Sequence, residues 1–254
     1  MNNIPISPQT QTQNKVEIRN QAKDRHQMAA YSNILKLSFL ASLLSGLWPV
    51  EETRRHDTNL AVFPPTCNRI ECPVFESVHV GNGYEIRRYN STMWASTSPI
   101  QDISLVEATR TGFLQLFDYI QGKNFYEEKI DMTAPVITEV SPSDGPFCES
   151  SFVVSFYVPK KNQANPAPAK GLQIQKWKPT YVAVRQFGGF VSDYEVGEEA
   201  AALQASIADT VWSDAIEKNR GKDRTSIYIV AQYNSPFEFD NRVNEIWMPF
   251  NLEE

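Results

Sequence analysis

The stretch Tyr84-Glu-Ile-Arg-Arg-Tyr-Asn-Ser-Thr-Met-Trp-Ala95 decides the fold. Apolar and polar residues alternate on either side of Asn90-Ser91, the pattern of two half-buried strands joined by a turn. The pattern returns without a gap in Leu172-Gln-Ile-Gln-Lys-Trp-Lys-Pro-Thr-Tyr-Val-Ala183, matching Ile86 to Ile174, Tyr89 to Trp177 and Ala95 to Ala183. A helical pattern follows each copy. Ser104-Leu-Val-Glu107 reads as a capping box, the serine accepting from the backbone of Glu107 while the carboxylate reaches back, and it opens a segment that runs to Gln121 before Gly122 stops it. The second helix is expected from Gly197 to Glu217, on the apolar spacing of Leu203, Ile207, Val211, Trp212 and Ile216. Strand-like runs follow both helices: Ile130 to Val140 and Phe152 to Val158 in the first half, Ile227 to Tyr233 and Asn244 to Pro249 in the second. Two such units bury their apolar faces on each other. This predicts an α+β fold, a distorted antiparallel β-barrel of two βαββ-type repeats with flanking helices.

The repeats set the folded domain at residues 74–250. Ahead of it, residues 49–73 are polar and contain Pro64-Pro65, as a linker does. Residues 34–48 fall short of the about 20 apolar residues that cross a bilayer. They read as the h-region of a signal peptide; an anchor or a buried amphipathic segment is the other reading. Residues 1–33 are polar and aperiodic, a disordered leader in which Met28 is a second candidate start. A signal peptide implies a secretory route to an extracellular, vacuolar or other lumenal destination. Without one, the chain belongs in the cytoplasm or an organelle. The tripeptide Asn90-Ser-Thr92 is an N-glycosylation acceptor on such a route. In an oxidising lumen Cys148, in a Gly/Pro/Ser-rich loop, can pair with Cys67 or Cys72, and the odd count leaves one thiol over.

Composition narrows the function. A chain of 254 residues with 41% hydrophobic side chains has a core large enough to need neither metal nor a disulfide framework. Net charge of -6, with no Lys/Arg block, gives no footprint for a nucleic-acid backbone. A domain holding one histidine and no Ser/His/acid or Cys/His constellation argues against catalysis. A monomer is expected.

Five stretches are similar to those of the SOUL haem-binding family, its plant members included: Tyr84–Tyr89; Lys129-Ile-Asp-Met-Thr-Ala-Pro-Val136; Phe156-Tyr-Val-Pro159 with Asn165-Pro-Ala-Pro; Val184-Arg-Gln-Phe-Gly-Gly-Phe190; and Asn244-Glu-Ile-Trp247. The order and separation of Met-Thr-Ala-Pro-Val and Gln-Phe-Gly-Gly make the signal specific. The resemblance implies the same two-repeat barrel and a tetrapyrrole, haem first, bound in an apolar cleft beside the first helix for transport, buffering or scavenging.

A porphyrin is a broad apolar disc with two acids at one edge, so its site needs an apolar wall and a cation or two at the rim. The first helix offers both. Leu105, Ala108, Leu116 and Ile120 form the stripe that faces the sheet, and Phe113, Leu114 and Phe117 add an apolar flank that packing on one sheet does not require. Arg110 matches an arginine of the family's first helix near the haem edge and is the candidate for an acid group. The alternative is that Phe113 and Phe117 pack under the Cys148 loop while Arg110 pairs with a surface carboxylate. His79 is the candidate axial ligand, a solvated loop histidine being its other reading, and Met132 reads as a packing residue. Gly188-Gly189 reads as a bend between strand and helix. A general apolar-ligand sensor or interaction module, or a small-molecule hydrolase, are the competing functions.

Overall fold

The computed structural model describes residues 63–141, 149–222 and 228–252. In chain order its elements are β1 (Phe75–Gly81), β2 (Tyr84–Tyr89), β3 (Met93–Thr97), β4 (Ile100–Asp102), α1 (Leu105–Ile120), β5 (Val136–Ser141), β6 (Ser150–Tyr157), β7 (Leu172–Lys176), β8 (Thr180–Phe187), α2 (Asp193–Ile207), α3 (Ser213–Lys222), β9 (Tyr228–Gln232) and β10 (Asn244–Phe250). Nine strands form one curled antiparallel sheet in the order β1-β2-β8-β10-β9-β5-β6-β3-β7, and β4 adds to it beside β6. The fold is α+β, as the sequence predicts.

The repeat is written into this order. Exchanging β2 with β7, β3 with β8, β5 with β9 and β6 with β10 reverses the run from β2 to β7 onto itself, with the β5–β9 pair at its centre. The register agrees residue by residue: Ile86 lies opposite Ala183 across β2 and β8, and Ile174 lies opposite Ala95 across β7 and β3. Both alanines are buried under helices. A small side chain at these two points lets a helix approach the sheet closely.

Each half is closed by its own helices. α2 and α3 bring Val196, Leu203, Ile207 and Ile216 onto Ile86, Ala183, Val230 and Ile246. α1 brings Leu116, Tyr119 and Ile120 onto Ala95, Val154 and Phe156. Gly112 sets the depth of α1: a Cβ there would come within 2.4 Å of a Val154 methyl, so only glycine allows this contact. The opposite sheet face holds a second core of Trp94, Trp247, Tyr89, Tyr157 and Tyr233. Within it Glu245, fully buried, accepts from Arg87 at 3.0 Å, Tyr233 Oη at 2.9 Å and Trp247 Nε1 at 2.7 Å.

Four expectations change. The second helical segment starts at Asp193 and is two helices, broken where Asp209 takes φ of 59°. Val211, placed on the apolar stripe by spacing alone, is therefore exposed. Residues 63–73 are not a trailing linker: Phe63, Cys67, Ile70 and Cys72 pack against the Trp94–Trp247 core, and the Glu71 carbonyl accepts from Ala134 N at 3.0 Å. Cys67 is bonded to Cys72, which leaves neither for Cys148. His79 lies within β1 rather than in a loop before the first strand. Cys148 and residues 1–62, with the leader, the apolar run and the start of the expected linker, lie outside the described residues.

Candidate functional site

The N-terminal half of α1 positions one wall of a cleft. Ser104 caps the helix, its Oγ accepting from Glu107 N at 3.2 Å, while Ser104 N donates to Asp102 rather than to the Glu107 carboxylate. Asp193, the first residue of α2, then accepts from Ser104 Oγ at 2.8 Å and from Val106 N at 3.1 Å. Its negative charge at the α1 N-terminus is the arrangement the helix dipole favours, and it ties the starts of the two helices together. The expected stripe of Leu105, Ala108, Leu116 and Ile120 is buried against the sheet. The opposite flank stays open, with Leu114 at 56% and Phe117 at 41% exposure.

Beside this flank lies a cleft of about 420 Å³. Val106, Thr109, Arg110, Phe113 and Leu114 of α1 form one side, Val136 and Gln232 the strand ends beneath, and Phe190, Val191, Asn234, Pro236 and Arg242 the facing loops. Three of the expected residues, Arg110, Phe113 and Leu114, thus meet in one place. Phe117 stands behind them and stacks on Phe113, with ring centroids 5.8 Å apart and 16° between planes. Phe113 is half-buried and meets Phe156 edge-on at 5.5 Å, so the two rings form a braced aromatic wall and are not sealed inside the fold. On the α1 side the Thr109 hydroxyl is bonded to that of the buried Thr138 at 2.8 Å, and Gln232 adds a polar group beneath.

Arg110 sits at the mouth with 72% of its side chain exposed, paired with Glu107 at 3.6 Å. Arg110 thus lines the cleft and also has the surface carboxylate of Glu107 for a neighbour. An exposed pair of this kind is weak enough to give way to a ligand.

Sequence reasoning missed a second cation at the cleft, Arg242. Arg242 is buried at 8% exposure, and its Nη1 donates to the carbonyls of Ser235 at 2.8 Å and Glu238 at 2.6 Å. Its guanidinium lies over the Phe190 ring at 4.4 Å, and its buried Nε has no partner. No carboxylate among the described residues forms an ion pair with it, because Glu238 turns its side chain to Arg69, Asn234 and the Ser235 backbone. Burial pulls the Arg242 guanidinium below the usual arginine range, only partly offset by the Glu238 charge. The Glu238 carboxyl is itself held low, chiefly by the hydrogen bond from Arg69. The available signals were Gly188-Gly189, where Gly189 takes φ of 79° and turns Phe190 toward the cleft, and a lone arginine just ahead of Asn244-Glu-Ile-Trp247.

Elsewhere on the molecule a recess of about 400 Å³ is lined by Phe63, Pro64, Pro65, Glu85, Arg87 and Arg185 among others. Its charges already answer one another: Arg87 to Glu85 at 2.8 Å and to Glu245 at 3.0 Å, Arg185 to Glu199 at 2.6 Å. Of these two recesses among the described residues, the α1 cleft is the one that combines an apolar wall with a buried cation that lacks a carboxylate partner.

His79 is not part of this cleft. It is exposed on β1, its ring 5.7 Å from that of Tyr84 and 6.1 Å from that of Trp212. Met132 packs, half-buried, against the core under α1.

A profile of the SOUL heme-binding protein family matches residues 70–249. The chain belongs to the SOUL family. Among curated SOUL relatives, heme-binding protein 2 of Homo sapiens is 40% identical over 167 residues, which is 65% of this chain and 77% of that protein. Heme-binding protein 2 of Mus musculus is 36% identical over 168 residues, again 65% and 77% of the two chains. Heme-binding protein 1 of Xenopus laevis is 25% identical over 169 residues, 66% of this chain and 83% of its own length. Within this SOUL domain the Gly188-Gly189 bend, the cis peptide between Ala134 and Pro135 and the β10 start at Asn244 all lie in stretches that carried the resemblance.

Proposed function

We propose that this chain binds haem or a related tetrapyrrole reversibly in the α1 cleft and carries or buffers it, without catalysing a reaction. The relatives' names point to that ligand class, and one observation carries the reading for this chain. Arg242 is a buried guanidinium with no carboxylate partner at the wall of an aromatic cleft. A buried charge without a counter-charge is costly, and an anionic ligand removes that cost.

The residues fit the group. A volume of about 420 Å³ lies within the about 300–1,000 Å³ usual for small-molecule sites. Phe113 and Phe190 offer apolar faces to a flat disc, and Arg242 and Arg110 are the residues that would hold its acids. Among the residues lining the cleft there is no His, Cys, Met or Tyr, and His79 stands apart on β1. The reading therefore assigns ring and acid contacts to this chain and no axial ligand. Haem would bring its own iron chemistry; the residues here bind, orient and shield it from water.

The proposal includes passage through the secretory pathway. The apolar run 34–48 supports this, and so does the Cys67–Cys72 disulfide, a bond that persists in oxidising compartments.

Titration with hemin, metal-free protoporphyrin IX and its dimethyl ester tests the ligand reading. Hemin and the free acid should bind saturably with comparable affinity, and the ester at least about tenfold more weakly, the loss of one charge-assisted contact. Spectra matching those with an unrelated acidic protein, or an ester bound as tightly as the acid, overturn it. Displacement of hemin by equimolar fatty acid would favour a general binder of apolar acids.

A further inference from the structure

We infer that Asn90 carries an N-linked glycan. The inference rests on the secretory part of the proposal above and adds the site, the acceptor atom and the moment of modification. Asn90-Ser-Thr92 is the single Asn-X-Ser/Thr tripeptide in the 254-residue sequence whose middle residue is not proline. It falls in the turn between β2 and β3, the position a bulky polar adduct needs. Asn90 and Ser91 are both exposed, and no described residue hydrogen-bonds the Asn90 amide. None of the residues lining the α1 cleft comes from this turn. The second observation is the Cys67–Cys72 disulfide, which belongs to the same oxidising lumen where glycan transfer takes place.

The third residue of the tripeptide fixes the timing. Thr92 is buried at 4% exposure, its Oγ1 accepts from Trp94 Nε1 at 2.9 Å, and its carbonyl accepts from Trp177 N at 2.9 Å. Trp94 is fully buried. A hydroxyl locked this way is out of reach of a transferring enzyme once β3 has joined the sheet, so transfer occurs on the unfolded chain. In the step itself, the Asn90 amide nitrogen attacks the anomeric carbon of a lipid-diphosphate-linked oligosaccharide. The carbon–nitrogen bond forms, the bond from that carbon to the diphosphate oxygen breaks, the lipid diphosphate leaves, and the amide gives up one proton.

The test expresses the full chain in eukaryotic cells and treats the product with peptide:N-glycanase. The expected result is the mass of one glycan, lost on treatment with aspartate left at position 90, absent in Asn90→Gln and retained in Thr92→Ser. Asn90→Gln should bind hemin as the unaltered chain does, since it keeps the Thr92–Trp94 bond. Chain recovered from the lumen or medium with bare Asn90 overturns the inference and leaves the secretory reading standing. Chain that is protease-accessible in the cytosol, with free thiols at positions 67 and 72, overturns both.

Discussion

Replacing Arg242 by glutamine separates the proposed anchor from the expected one. In the free protein the change removes two donated bonds, to the Ser235 and Glu238 carbonyls, and the stacking on Phe190. It also removes a buried charge that no carboxylate balances. These effects oppose each other, so stability should change by no more than about 1 kcal/mol. Ligand binding has no such compensation. A charge-assisted bond to a carboxylate contributes about 1.5–3 kcal/mol, and at about 1.4 kcal/mol per tenfold Arg242→Gln should weaken hemin binding by roughly 10- to 150-fold. Arg110→Gln removes an exposed cation already paired with Glu107 and should cost less than about fivefold, vanishing as salt is raised. Absorbance titrations at two salt concentrations, with thermal melts to confirm folding, read both. The dimethyl ester should bind Arg242→Gln and the unaltered protein alike. If Arg242→Gln binds hemin within threefold of the unaltered chain while Arg110→Gln loses tenfold or more, the buried-cation argument is wrong and the exposed arginine is the anchor.

Three further outcomes probe the frame around the cleft. Gly112→Val should push α1 off β6, since even the first added carbon meets Val154 at 2.4 Å, and destabilise the domain by about 1–3 kcal/mol in denaturant unfolding while weakening hemin binding. Glu245→Leu leaves Arg87 buried beside Glu85 alone and should cost about 3–5 kcal/mol in the same assay, with any surviving folded protein still competent for hemin because the network lies outside the cleft. Burial, helped by the Glu128 charge, pushes the Tyr119 hydroxyl up to about 12, and burial also raises Tyr233. A raised tyrosine keeps its proton in the folded state where the unfolded chain has lost it. Stability is therefore full below pH 10 and should fall as pH climbs from about 10 through 12, a fall that Tyr119→Phe makes shallower; a melting temperature flat across that window would contradict the assigned burial.

The frame was legible because its cause is local and repeated. Ile86, Ala95, Ile174 and Ala183 occupy equivalent pairs in the register, so the same packing demand left the same residues at the same spacing. Where the demand was not periodic the reading failed. Val211 continues the helical spacing of Leu203 and Ile207, but spacing does not reveal that Asp209 adopts a left-handed φ or that the chain turns at Thr210, whose Oγ1 accepts from Trp212 N at 3.3 Å, before α3 begins at Ser213. Residues 63–73 look polar in composition, yet their disulfide, Phe63, Ile70 and the backbone bond of Glu71 to Ala134 draw them onto the core.

The site divides along the same line. The α1 wall could be read because an apolar flank beyond what the sheet can cover is visible on a helical projection, and Arg110, Phe113 and Leu114 indeed line the cleft. Arg242 could not be read, because its importance comes from what surrounds it rather than from its neighbours in sequence. The loop between β9 and β10 folds so that Glu238, only four residues away, spends its carboxylate on Arg69, and the arginine is left with carbonyls and an aromatic face. Had Glu238 turned inward, the same sequence would give a neutral, satisfied loop and a cleft suited to uncharged ligands. On the proposed reading, the direction of that single side chain is what would make the pocket prefer an acid, and Glu238→Gln, which weakens the hold of Arg69 without altering shape, should leave the preference for acid over ester intact.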